Sequence, residues 1–195
     1  MTKAFVLGNG ISRKPIDLTE LKQQGKIYGC NALYREFTPD VLVATDRPIA
    51  EEIQNSGYAL KNCFYTRRPI PQLGAKKVKE KYHGFSSGPN AVSLAALDGH
   101  TQVYLLGFDM GPTEKKQFNN IYADTTFYKT SAHPPTFTGN WIKQIREIVS
   151  DFPQVDFFRV CGTTTARLSE LEGLKNLHHL DLALFIDRIN NEKDL

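Results

Sequence analysis

The sequence predicts an α/β protein built on one open, mainly parallel sheet with helices on both faces. Three observations carry this. Short apolar runs are continuous rather than alternating, as strands buried on both faces require. Helical candidates lie between them, the alternation expected of parallel strands joined by crossovers. The runs end in glycine, asparagine, aspartate or threonine, residues suited to turns and to binding.

In chain order, the strand candidates are 4–7, 26–29, 41–44, 63–65, 103–106 and 155–160. A first short helix is expected over 19–24, capped by Asp17. The next is expected over 48–55 after Asp46, with Pro48 in its first turn. The clearest helix signal is SSGPNAVSLAALDGH, which predicts a helix over 89–97 stopped by Gly99. A further helix is expected over 141–150. The tail 165–195 reads as helical, packing on the sheet edge through Leu168, Leu171, Leu180 and Leu184. Its single leucine-rich stretch is too short to build a solenoid. Residues 110–140 are polar, aromatic and broken by Gly and Pro, and segments of that length without regular structure are usually functional or mobile.

The chain of 195 residues suits a single domain, 1–195, with a substantial core. A net charge of +3 is too small to argue for nucleic acid. Lys76, Lys77, Lys79 and Lys81 read as a solvated helix or loop face rather than a polyanion site. Cys30, Cys63 and Cys161 have no metal-ligand spacing and are odd in number, so they read as buried thiols in a reducing compartment. The N-terminus lacks a signal-peptide h-region, and no apolar run nears the ~20 residues of a membrane helix. A cytoplasmic protein without an integral membrane segment is expected.

In open parallel sheets, ligands bind beyond the carboxyl ends of the strands. Those ends hold Gly8, Asn9 and Gly10; Asn31; Asp46; Arg67 and Arg68; Gly107 and Asp109; and Gly162 to Thr164. Asparagine can donate and accept, so it can read a base or ribose edge. Glycine lets backbone amides approach a ligand. A hairpin at VLGNGIS would need a second strand at once, yet Pro15 follows. GNGISRK lacks the third glycine of a dinucleotide fingerprint, and GxxxxGK[ST] is absent. Ser86, Ser87 and Gly88 stand where a helix N-terminus would face an anion; the plainer alternative is that Ser87 caps its own helix. Arg67 or Arg68 could neutralise phosphate, or lie on the surface. No D-x-D pair follows a strand, which disfavours a metal-bridged diphosphate, and no metal site is expected.

GNGIS, GCNALY and SSGPNAVSLAALDGHTQVYLLGFD together resemble the bacterial sialyltransferases of glycosyltransferase family 42 and the related motility-associated glycosyltransferase-like proteins. The match covers roughly 4–46 and 84–110. It implies a Rossmann-like fold around a cytidine nucleotide, with residues 110–140 as a lid, a nucleotide sugar as donor substrate and no separate cofactor. By position it puts Asn9 and Asn31 on the nucleotide, Ser87 and Gly88 on phosphate or ribose, and Gly107 and Asp109 at the closing cleft. The family's asparagine after the third strand is replaced by Asp46, and its tyrosine after the strand-ending aspartate by Gly111. Tyr122 or Tyr128 would then supply phenols from the lid, and His133 the general base, histidine being the residue type suited to take a proton near neutral pH. The plainer alternative is that His133 is an ordinary loop residue held by the two prolines that follow it. The expected function is a metal-independent, CMP-sugar-dependent, sialyltransferase-like glycosyltransferase. The alternatives are a nucleotide-binding module without turnover, or a pterin pyrophosphokinase-like enzyme needing magnesium at Asp46 and Asp109. A small-molecule nucleotide is the expected partner, with an unassigned acceptor and a homo-oligomer as an open possibility.

Overall fold

The computed structural model describes residues 2–191. Eight strands form one sheet: β1 (Lys3–Leu7), β2 (Lys26–Cys30), β3 (Val41–Val43), β4 (Phe64–Thr66), β5 (Lys76–Lys77), β6 (Gln102–Leu106), β7 (Asp156–Cys161) and β8 (Leu177–Asp181). All neighbours are parallel, in the order β5-β4-β3-β2-β1-β6-β7-β8. The sheet is open, and strand order reverses between β1 and β6. That reversal creates a crevice at the carboxyl ends of the central strands.

The period of two along each strand divides the core. Ala4 and Val6 of β1 face one layer, Phe5 and Leu7 the other. The first layer is covered by α4 (Ser87–Leu97) and α5 (Gly139–Asp151). The second is covered by α1 (Leu18–Lys22), α2 (Arg47–Asn55), α3 (Tyr58–Lys61) and α6 (Leu182–Asn191). α4 is buried along nearly its whole length because it crosses the sheet centre under α5. α5 instead buries one stripe, Ile142, Ile145, Ile148 and Val149, at helical spacing. Asp17 caps α1 by accepting from the amides of Thr19 and Glu20, as its position predicts. Among the described residues no helix is long and apolar enough to cross a membrane.

Several expectations are corrected. Residues 177–181 of the tail form edge strand β8 rather than helix; only Leu182–Asn191 is α-helical. Residues 192–195 of that expectation lie outside the described residues. β8 exists because its backbone pairs with β7 from Phe157↔Leu177 to Cys161↔Asp181, a bond pattern that leucine spacing does not encode. Leu184 is 55% exposed, and Phe185 anchors α6 in its place. Lys76 and Lys77 form a two-residue edge strand beside β4, with exposed side chains. Of the cysteines only Cys30 is buried; Cys63 and Cys161 are partly exposed.

β1 and β6 touch through backbone at their carboxyl ends. The Gly8 amide donates to Leu106 O at 2.8 Å and the Gly10 amide to Gly107 O at 2.9 Å. A Cβ on Gly8 would stand 2.6 Å from Gly107 O, which cannot move without breaking the ladder. Gly8→Ala should therefore destabilise the fold by about 1–3 kcal/mol, the usual range for overpacking. Urea unfolding of the variant beside the wild type measures it; an unchanged midpoint would overturn this account of the turn.

Candidate functional site

The crevice at the strand reversal holds a cavity of about 160 Å³. Gly8, Asn9, Gly10, Asn31, Asp46, Ser86, Ser87, Gly88, Gly107 and Asp109 all line it. They are far apart in sequence and meet because the β1, β2, β3 and β6 ends and the α4 start share one edge of the sheet.

Asn31 follows β2 with φ of 54°, a left-handed conformation that asparagine tolerates better than most residues. That conformation turns its side chain toward α4. Ser87 Oγ donates to Asn31 Oδ1 at 2.8 Å and accepts from the Thr45 amide at 3.0 Å. Ser87 is therefore not a helix cap. It ties β2, β3 and α4 together at the cavity floor. Ser86 Oγ accepts from the Trp141 indole at 3.1 Å, which ties α5 to the α4 start. The first-turn amides of α4 lack intrahelical partners and carry the positive end of the helix dipole, so this wall suits an anion. Asn9 Nδ2 donates to Cys30 O at 3.4 Å, fixing its side chain between β1 and β2.

Asp109 closes the opposite wall and is 2% exposed. Its carboxylate accepts from the Ser12 amide at 3.1 Å, from the Ser12 hydroxyl, from Asn119 Nδ2 at 3.0 Å and from Thr164 Oγ1 at 2.7 Å. The turn after β1, the lid and the loop after β7 are thus joined at one carboxylate. Below it, Arg159 is buried and donates to the carbonyls of Phe108, Asp109 and Ala166. Burial pushes its guanidinium pKa down, and the three carbonyls compensate part of the lost hydration.

The lid 110–140 is latched to this wall. The Ile11 amide donates to Asn119 Oδ1 at 2.9 Å, and the Ile121 amide to Asn9 O at 2.8 Å. Phe118, Asn119, Asn120, Pro135, Thr136 and Trp141 roof the cavity. Thr136 Oγ1 is buried there without a hydrogen-bond partner. The volume lies below the roughly 300–1,000 Å³ usual for small-molecule sites, so a nucleotide would enter only with displacement of this roof.

Five expected site residues lie elsewhere. Arg67 donates to the carbonyls of His83, Gly84 and Phe85, organising the loop before α4. Arg68 is exposed and does not line the cavity. The Tyr122 hydroxyl donates to Glu36 Oε1 at 2.5 Å and accepts from Arg13 at 3.1 Å. The Tyr128 hydroxyl accepts from the Ala32 amide at 3.3 Å. Burial raises both phenol pKa values, so both are neutral donors at neutral pH. His133 is exposed, with Nδ1 2.8 Å from Pro134 O.

Three contributors escaped sequence reasoning: Arg13, Asn119 and Trp141. Arg13 is 4% exposed and its Nε donates to Gly8 O at 2.7 Å, bracing the first turn from behind. A lone arginine in SRKP looks like any surface cation, and nothing in the pattern marks it as buried. Trp141 offered a signal, being the chain's single tryptophan at the start of a helix that follows the lid.

No protein-family model matches the chain, and no curated protein matches it. Among solved structures it is similar to the sialyltransferase CstII from Campylobacter jejuni, in complex with a substrate analogue, cytidine-5'-monophosphate. The likeness covers 84% of this chain and 81% of that one, at 15% identity and a TM-score of 0.50. It supports a Rossmann-like open α/β fold.

Asp109→Ala should cost about 3 kcal/mol or more, because several buried donors lose a charged acceptor together. Urea unfolding reads it. Cys30, whose thiol burial pushes up to about 12, should resist alkylation at pH 8 in the folded chain and react once it is unfolded. Mass spectrometry after iodoacetamide treatment checks the second outcome.

Proposed function

We propose that the chain binds a cytidine-type nucleotide in this cavity and acts as a metal-independent, nucleotide-sugar-dependent glycosyltransferase of the sialyltransferase-like kind. The observation that carries the reading is the convergence of Asn9, Asn31, Ser87 and the α4 N-terminus on one cavity at the strand reversal. Asparagine side chains supply base- or ribose-reading donors and acceptors, and the α4 start supplies the anion-facing wall. The unpartnered Thr136 hydroxyl adds a polar group with no protein acceptor or donor of its own. The fold likeness to a protein crystallised with cytidine-5'-monophosphate agrees with this assignment without supplying the chemistry.

In the proposed cycle the donor displaces the roof, and residues 110–140 close over it and exclude water. A monophosphate leaving group carries less charge than a diphosphate, so the helix amides can stabilise it without a bridging metal. His133 is the proposed base and takes the acceptor hydroxyl's proton after the lid rearranges around the donor.

Its outward placement favours a second reading: a module that binds the nucleotide without turnover. The magnesium-dependent pyrophosphokinase reading is weaker, because the Asp109 carboxylate is already occupied by protein donors.

Cytidine monophosphate should raise the melting midpoint in a dose-dependent way, by mass action on the folded state. Asn31→Gly keeps the left-handed backbone and should weaken that binding about tenfold, the equivalent of one good hydrogen bond. Absence of any midpoint shift at millimolar nucleotide would overturn the site assignment. Incubation with CMP-sialic acid then separates the readings. Release of free sugar, lost in His133→Ala with nucleotide affinity kept, identifies the transferase; binding without release identifies the module.

A further inference from the structure

A second and larger cavity, about 950 Å³, lies across the Asp109 wall from the first. It opens beyond the carboxyl ends of β7 and β8, between the turn after β1, the loop 162–167 and the first turns of α6. Its volume falls within the roughly 300–1,000 Å³ range of small-molecule sites. Its walls are partly apolar, through Ile11, Leu168, Leu180 and Ile186, and partly hydroxyl-bearing, through Thr163 and Thr164.

Three cations, Lys14, Arg167 and the buried Arg159, line this cavity together with two carboxylates, Asp181 and Glu172. Lys14 and Arg167 are both exposed, and neither has an ion-pair or hydrogen-bond partner for its side chain among the described residues. The Asp181 carboxylate is already engaged, accepting from the amides of Ala183 at 2.8 Å and Leu184 at 3.4 Å. Glu172 is exposed and acts electrostatically on His179, so Lys14 and Arg167 are the charged side chains of the lining with no protein partner among the described residues. The buried Arg159 guanidinium at the base adds positive potential, while its donors are held by backbone carbonyls.

We infer that this second cavity binds a small organic anion, a phosphate or carboxylate borne on a sugar-sized skeleton. Lys14 and Arg167 take the anionic group, Arg167 by its planar fork. The Thr163 hydroxyl takes a neutral polar group, Thr164 Oγ1 can only accept because its proton goes to Asp109, and the aliphatic wall takes the carbon skeleton. The site is independent of the nucleotide reading. The cavities share only a partition, with Ser12 lining the second, Asp109 the first, and a hydrogen bond between them.

The test uses the full chain, isotopically labelled for amide NMR and titrated with glucose 6-phosphate, glucuronate, inorganic phosphate and uncharged glucose. Either sugar anion should shift the amides of Lys14 and of residues 163–167 while leaving those of Asn31 and Gly88 in place. The bound sugar anion should also slow iodoacetamide alkylation of Cys161, which lines this cavity, and leave Cys63, the residue before β4, unaffected. The double variant K14E/R167E changes only exposed side chains, so its melting midpoint should hold while sugar-anion affinity falls about tenfold or more.

The inference fails if neither anion shifts these amides at millimolar concentration. It fails if glucose binds as tightly as its phosphate, or if inorganic phosphate alone binds as tightly as glucose 6-phosphate, because the apolar wall would then contribute nothing. It also fails if the double variant binds as the wild type does. A separate titration with cytidine monophosphate, read at Asn31 and Gly88, reports on the nucleotide cavity and leaves this result unchanged.

Discussion

The buried carboxylate of Asp109 is the interaction on which the functional end of this molecule depends. It sits where β6 ends and gathers donors from three segments with no sequence proximity: the turn at Ser12, the lid at Asn119 and the loop at Thr164. A buried anion is tolerable only when hydrogen bonds replace its lost hydration. Each donor segment is therefore held in position by the carboxylate's need for it. This cluster is the partition between the two cavities, with Ser12 on one side and Asp109 on the other.

The same economy applies to the first strand's glycines. Gly8 and Gly10 invite a ligand-approach explanation, and both do line the cavity. Their closest constraint is nonetheless the protein itself. A Cβ on Gly10 would stand 2.5 Å from the Asp109 carboxyl carbon, and one on Gly8 would strike the Gly107 carbonyl. Gly107, at φ 71°, makes the matching turn on the other strand. Close approach of two strand ends demands the small residues, and the cavity they border inherits its backbone-lined wall. Ser87 behaves alike, since its hydroxyl fastens Asn31 and Thr45 before any ligand arrives.

Much of the layer architecture was legible because local chemistry and burial agree. The β1, β2, β3 and β6 runs are apolar on both faces, and the structure buries both faces. Asp17 caps α1, and Pro48 sits in the first turn of α2. Legibility failed at the edges. β8 alternates poorly, with His178 and His179 side by side between buried Leu177 and Leu180. Its identity comes from pairing with β7. β5 is two lysines whose side chains stay in water, so only its backbone bonds define it. Arg67 offered a basic residue at a strand end, yet its donors turn inward to three carbonyls.

What the sequence by itself determined was the alternation of strands and helices, and hence the edge of the sheet where small and polar residues collect. Periodicity and turn chemistry are local, so they survive being read one segment at a time. The tertiary structure decided which of those polar residues share a cavity and which are consumed as structure. Asn9, Asn31, Ser87 and Asp109 meet; Arg67, Tyr122, Tyr128 and His133 do not line the space between them. The physical reason is that a hydrogen-bonding side chain carries no record of its partner. Only the packed fold settles whether its donors and acceptors are satisfied by distant backbone or left facing a cavity.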